Sequence, residues 1–297
     1  MRYNLDPTTL FIRGSFRAAS TGISGGIRSV STLISHSVPE GRGRENTEKE
    51  LGFVAAAAGT ADDFFGILTQ VPVTCLCVFQ YDFITIFITA DHPEGSDRGP
   101  GQIAIIAYSA EGLEEAALLE TILVATEAKV EALLAAGTGV TGTPADAVIA
   151  ACEGERCHPS AGRATEAGRR VREAVLRGLP EALKRSRDPH HYDRPAYFIF
   201  SRFKGEHWVE WRPENCQYYP CHFTGQRCDF CYCPFYPCRD ETLGQWVESA
   251  WGGKVWNCAR CLLLHEPAVA DYAKKYPGAS LRELKRMRDT LPAKKGI

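Results

Sequence analysis

The sequence predicts a mixed α and β protein, a helix-covered β-sheet domain followed by a small cysteine-rich metal-binding domain. Three observations carry this. Residues 114–136 and 165–184 place apolar side chains at helical spacing, Leu118, Ile122 and Leu133 in the first and Val171, Val175 and Leu179 in the second. Between and around them stand apolar, partly β-branched and aromatic runs at 71–90, 102–108 and 147–151, which read as strands. Finally, eight of the 12 cysteines crowd between Cys216 and Cys261.

The domain plan that follows is 1–187 for the sheet domain, 188–195 as a linker, 196–270 as the cysteine-rich zinc-binding domain and 271–297 as a basic, partly helical tail. A chain of 297 residues has room for one large and one small domain. With 34 basic and 36 acidic side chains the formal charge is only -2, so no global field favours nucleic acid or an acidic membrane. No apolar run approaches the roughly 20 residues needed to cross a bilayer. Residues 1–16 carry charges and no leader-like apolar core, so a soluble cytoplasmic chain with no membrane partner is expected.

Taken in order, 9–13 is apolar enough for a strand, and the hydroxyl-rich run 20–32 with Gly22, Gly25 and Gly26 gives a strand, turn, strand pattern. Thr60 followed by Asp62 and Asp63 reads as a helix cap with acids in the first turn, and Asp63 doubles as a weak site candidate. Residues 71–90 form two strands with a turn at Gln80, Tyr81 and Asp82, and Cys75 and Cys77 are expected as buried thiols. Asp91 and His92 open a loop at a strand end, a common place for function. His92 is a candidate acid or base, with a solvated loop histidine as the alternative.

Helix 114–136 carries Thr126, Glu127 and Lys129. Gly137 stops it, since glycine accepts the left-handed backbone just past a helix end. The following loop brings Thr141, Gly142, Thr143 and Asp146 into strand 147–151. Glycines allow close approach of backbone amides to a bound group, while hydroxyls and a carboxylate orient it. The plain alternative is a solvated helix face followed by a connector.

Three ordered runs resemble the CbiZ-type adenosylcobinamide amidohydrolases: Ser20 to Arg28, Thr126 to Lys129, and Thr141 to Asp146, backed by Ala161, Gly162, Thr165 and Gly168. The resemblance covers about the first two thirds of the chain and implies hydrolysis of the amide joining aminopropanol to a corrin ring, with adenosylcobinamide or a related corrinoid as partner. It departs at Ala90 and Asp91, where Ala-Gly is expected, and at Gln102 and Ala104, where Thr and Asn are expected. Those departures keep a non-catalytic corrinoid-binding protein in view. The resemblance also makes Ser24, Gly25, Gly26 and Thr126 candidate substrate contacts, and the loop at the strand end adds Asp91 and His92. On the matching positions, Glu127 or Asp146 is the candidate base for a water, Lys129 the charge for the oxyanion, and Thr141 or Thr143 the orienting hydroxyl or, as the lesser alternative, the attacking one.

In the second domain, Cys228 with Cys231 and Cys258 with Cys261 are two-residue-spaced pairs, the spacing that lets one turn offer two thiolates to a tetrahedral ion. With Cys216, Cys221, Cys233 and Cys238 they make eight sulfurs, enough for two four-cysteine zinc sites. His222 and His265 are each able to replace a cysteine. Zinc is expected over an iron–sulfur cluster, and such closed sites suit a structural or protein-docking role. The aromatic residues and basic tail of this block leave nucleic-acid binding as a second, less favoured reading.

Overall fold

The computed structural model describes residues 2–38, 47–60, 63–91, 101–201, 206–211, 219–228, 230–231, 233–248, 254–276 and 279–290. His92, Cys216 and Asp62 lie outside them, as do residues 291–297. The chain forms two compact units, one spanning Asn4–Trp211 and the other Arg212–Ile297 with the first three residues.

The first unit is built on a mixed ten-stranded sheet. Its strands are β1 (Arg2–Leu5), β2 (Thr9–Ser20), β3 (Gly26–Ser37), β4 (Phe64–Thr69), β5 (Cys77–Tyr81), β6 (Ile84–Ala90), β7 (Ile103–Ser109), β9 (Ala147–Cys152), β11 (Ala196–Ser201) and β12 (His207–Trp211). The order is β12-β11-β5-β6-β7-β9-β2-β3-β4, with β1 beside β2, and the short strands β8 (Gly112–Leu113) and β10 (Cys157–His158) pair with each other outside it. The central strands β6, β7 and β9 are buried along their whole length, which is why they read as continuous apolar runs without alternation. Helix α2 (Glu115–Ala135) crosses from β7 to the parallel strand β9, so both strands start at the same end of the sheet.

Helix α3 (Glu166–Arg187) lies beside α2 and over β5 and β6. The fit is close. A Cβ on Gly178 would come 2.6 Å from Ile88 Cδ1 and 3.0 Å from the Phe79 ring. The residues of the 161–168 motif form the start of α3: the Thr165 hydroxyl accepts from Gly168 N–H at 3.0 Å, and Gly168 packs against the Ala161 and Gly162 carbonyls.

Two expectations change. Thr60 ends helix α1 (Thr47–Ala57) instead of starting a helix, because its hydroxyl donates back to the Ala55 carbonyl at 2.9 Å. Asp63 then leads into β4 and accepts from Ser31 N–H at 3.1 Å. The aromatic strands β11 and β12, within the span expected for the cysteine-rich domain, extend the large sheet. β11 pairs parallel to β5, stacking Phe198 on Phe79 and Phe200 on Tyr81.

The second unit holds a hairpin of β13 (Gln245–Glu248) and β14 (Lys254–Asn257) and two short helices, α4 (Pro267–Lys275) and α5 (Leu281–Asp289). Leu243, Leu263, Leu264, Val269 and Leu284 form its core. Part of the expected tail is therefore a packed element: Ser280 and Glu283 close a capping box on α5, and Lys285 bonds Asp240 at 2.6 Å. Among the described residues no helix is long and apolar enough to cross a membrane.

The closeness of α3 to the sheet gives a direct test. Gly178→Val overpacks the contact with Phe79 and Ile88 and is expected to lower unfolding free energy by about 1–3 kcal/mol, read from urea denaturation.

Candidate functional site

The site begins with a helix that places two charged neighbours on opposite sides. Residues 127 and 129 are about 200° apart around α2, at 3.6 residues per turn. Lys129 therefore turns inward while Glu127 faces solvent, where it stands 3.8 Å from Arg163.

The Lys129 ammonium meets Asp146 Oδ2 at 2.6 Å, with the two side chains 9% and 10% exposed. Asp146 accepts three further bonds. Its Oδ1 takes Ile103 N–H at 2.9 Å and the Thr143 hydroxyl at 3.0 Å, and its Oδ2 takes Thr143 N–H at 3.2 Å. These four bonds fill the roughly four acceptor positions of a carboxylate. One side chain thus ties helix α2, the start of β7 and the loop entering β9.

Gly142 makes room for this. Its φ of +139° disfavours any side chain, and a Cβ there would fall on both the Lys129 ammonium and the Asp146 carboxylate. The glycine that the sequence suggested for approach to a ligand instead admits a buried ion pair.

Beside this knot opens a cavity of about 640 Å³. Thr143 and Asp146 form one wall, and Asp91 and Gln102 another. The turn between β2 and β3 contributes Thr21, and α1 contributes Glu50. Thr21 joins the turn to β9: its N–H donates to the Val148 carbonyl at 3.0 Å, and its hydroxyl accepts from Val148 N–H at 2.9 Å. Gln102 Nε2 donates to the Leu68 carbonyl at 2.7 Å, holding the start of β7 against the end of β4. The Asp91 carboxylate lies over Gly101.

Of the residues expected from sequence, Thr143, Asp146 and Asp91 line the cavity. Lys129 stands behind the wall, bonded to Asp146, and is not part of the lining. Glu127 and Thr141 are exposed away from it, and Thr126 turns its hydroxyl to the Ile122 carbonyl at 2.8 Å. Ser24, Gly25 and Gly26 make the exposed β2–β3 turn, where the Ser24 hydroxyl bonds Glu48. His92 is outside the described residues. Sequence reasoning did not single out Thr21, Glu50 or Gln102 as site residues, although Thr21 stands in the first resembled run and Gln102 at one of its departures.

In the second unit none of the described cysteines forms a disulfide. Cys231, Cys233, Cys238, Cys258 and Cys261 line a small cavity of about 70 Å³ together with His265, Leu243, Leu263 and Trp256. Burial pushes the Cys233 thiol up to about 12, with Cys258, Cys261 and Cys238 adding to the rise. Among the described residues no three Cys, His, Asp or Glu side chains converge closely enough to hold an ion as they stand. The donors are nonetheless those that a soft or borderline cation selects, and a cysteine-rich unit with this cavity is compatible with metal binding.

The pattern of the CbiZ family, adenosylcobinamide amidohydrolase, matches residues 9–190, and that of a cysteine-rich small domain matches residues 207–288. An adenosylcobinamide amidohydrolase of Methanosarcina mazei is 36% identical over 196 residues, 62% of this chain and 98% of that protein. One of Halobacterium salinarum is 30% identical over 190 residues, 58% of this chain and 81% of that protein. An uncharacterized protein of Methanocaldococcus jannaschii is 59% identical over 56 residues, 19% of this chain, and the chain spans about half (47%) of that relative's length. With a sheet unit matched almost throughout and a relative covered nearly end to end, the chain belongs to the adenosylcobinamide amidohydrolase family.

Proposed function

We propose that the unit of residues 4–211 hydrolyses the amide between aminopropanol and the corrin ring of adenosylcobinamide, releasing adenosylcobyric acid for corrinoid salvage. The observation that carries this is the cavity, which gathers Asp91, Thr143 and Asp146 from separate parts of the chain. Pockets of roughly 300–1,000 Å³ enclose drug-sized ligands. About 640 Å³ suits the aminopropanol arm and one ring edge, with the rest of the macrocycle across the mouth.

Amide hydrolysis requires an activated water, a stabilised oxyanion and a proton for the departing amine. Asp146 is a poor base in this arrangement, because its acceptor positions are already filled by Lys129, Thr143 and Ile103. Its role in the proposal is to position Thr143 at the cavity wall, with Lys129 holding it from behind. Asp91 is the carboxylate assigned to activate water and return the proton to the amine. Thr143 orients the scissile amide, and Glu127 has no part in the chemistry.

The proposal extends to the second unit, where zinc is the ion assigned to the cysteines, with Cys216, Cys221, Cys228, Cys231, Cys233, Cys238, Cys258 and Cys261 as its candidate ligands. Zinc would supply folding energy that a small core lacks, in a closed and structural site. A cytoplasmic setting belongs to the same reading, since free thiols persist in a reducing compartment.

Three outcomes test the enzyme reading. Purified protein incubated with adenosylcobinamide is expected to release aminopropanol. Asp91→Asn should lower kcat at least about 100-fold, the usual contribution of a general base, while Glu127→Gln stays within about twofold of wild type. Recovery of unaltered corrinoid from a tight complex would replace hydrolysis with simple binding. Lys129→Met leaves a buried carboxylate unpaired and is expected to cost about 3–5 kcal/mol in a denaturant melt. Gly142→Ala disturbs the same pair, so it should lower stability and kcat together even though residue 142 does not line the cavity.

A further inference from the structure

Asp91 and Gln102 stand directly opposite each other on the cavity wall, one step beyond Ala90 and Ile103, the last pair of the β6–β7 ladder. The Asp91 N–H donates to the Gln102 carbonyl at 2.8 Å and continues the pairing. Side chains opposite each other on antiparallel strands share a face, with Cβ atoms about 4.5–5.5 Å apart. The residue assigned to return a proton to the departing amine therefore has Gln102 as its immediate neighbour.

The Gln102 amide has a fixed orientation. Its Nε2 donates to the Leu68 carbonyl at 2.7 Å, and a carbonyl only accepts, so the nitrogen faces Leu68 and Oε1 faces away from it. Among the described residues nothing donates to that oxygen. Thr69, the residue after Leu68, also lines the cavity and is 3% exposed. Its hydroxyl accepts from Val71 N–H at 3.1 Å, and among the described residues no acceptor takes its proton. An unspent acceptor and an unspent donor are thus both placed at the end of β4. Buried polar groups are costly to leave unpaired, and a ligand hydroxyl, which donates and accepts, satisfies both.

The aminopropanol arm brings such a hydroxyl, a short carbon link away from the nitrogen that Asp91 serves. Resting on the hydrolysis proposed for this cavity, we propose that Gln102 is the specificity-determining residue for the leaving amine: its Oε1 accepts from the aminopropanol hydroxyl, and the Thr69 hydroxyl donates to the same oxygen. The two ends of one amide then have separate tasks. Nε2 holds the start of β7 against β4, and Oε1 reads the leaving group. The site selects amides of hydroxyl-bearing amines over amides of plain alkylamines.

Two substrates test this: adenosylcobinamide, and the amide of adenosylcobyric acid with propylamine, which lacks only the hydroxyl. The full chain should hydrolyse the first with a kcat/KM at least about tenfold higher, because the second leaves the hydroxyl-binding groups unpaired. Gln102→Met removes the acceptor at similar side-chain length and should bring that ratio to within about threefold of one. Any loosening caused by the lost bond to Leu68 affects both substrates alike and cancels in the ratio. Thr69→Val should narrow the ratio as well, while Thr69→Ser keeps it. A wild-type ratio near one would overturn the assignment and leave hydrolysis standing, as would an undiminished ratio in both Gln102→Met and Thr69→Val. Failure of the full chain to release aminopropanol from adenosylcobinamide would instead remove the hydrolysis itself, and the assignment with it.

Discussion

A buried ammonium and a buried carboxylate are each costly alone, and Lys129 and Asp146 settle the cost only by standing together. Much of the first unit's functional end follows from that constraint. Asp146 must sit where Lys129 reaches it from α2, so the loop between helix and β9 is folded back over the starts of β7 and β9. Once there, its remaining acceptor positions fix the Thr143 hydroxyl and backbone. The cavity wall is thus a by-product of satisfying one charge pair. The glycine at 142 exists because no side chain fits beside it.

This explains what was legible in the sequence and what was not. Helical and strand periods report burial, so α2, α3 and the strands β6, β7 and β9 were readable from apolar spacing alone. The cap reading at Thr60 failed because a threonine before acids serves a helix end as well as a start, depending on which carbonyl its hydroxyl meets. β11 and β12 were absorbed into the cysteine-rich segment because their aromatic residues look alike in either place, and only pairing with β5 assigns them. Two residues apart on one helix, Glu127 and Lys129 appeared as a pair in the sequence. The helical turn separates them, and helical geometry alone would have done so before any coordinates. Thr21, Glu50 and Gln102 come together only through sheet order, which no local pattern encodes.

The second unit follows a different economy. Its apolar core is a handful of residues around Leu263 and Val269, and its thiols lie at the edge of that core. A fold of this kind has few buried side chains to hold a single arrangement by packing alone, and its thiols are compatible with metal binding.

The bond from Gln102 to the Leu68 carbonyl carries one more consequence. A threonine, which the resemblance leads one to expect here, is too short to span from one strand end to the other. Here an uncharged hydrogen bond joins two residues that line the cavity, in contrast to the charged pair behind its wall. The rim and the back wall of this cavity are therefore held in different ways: one by the reach of a neutral side chain, the other by the attraction of two opposite charges.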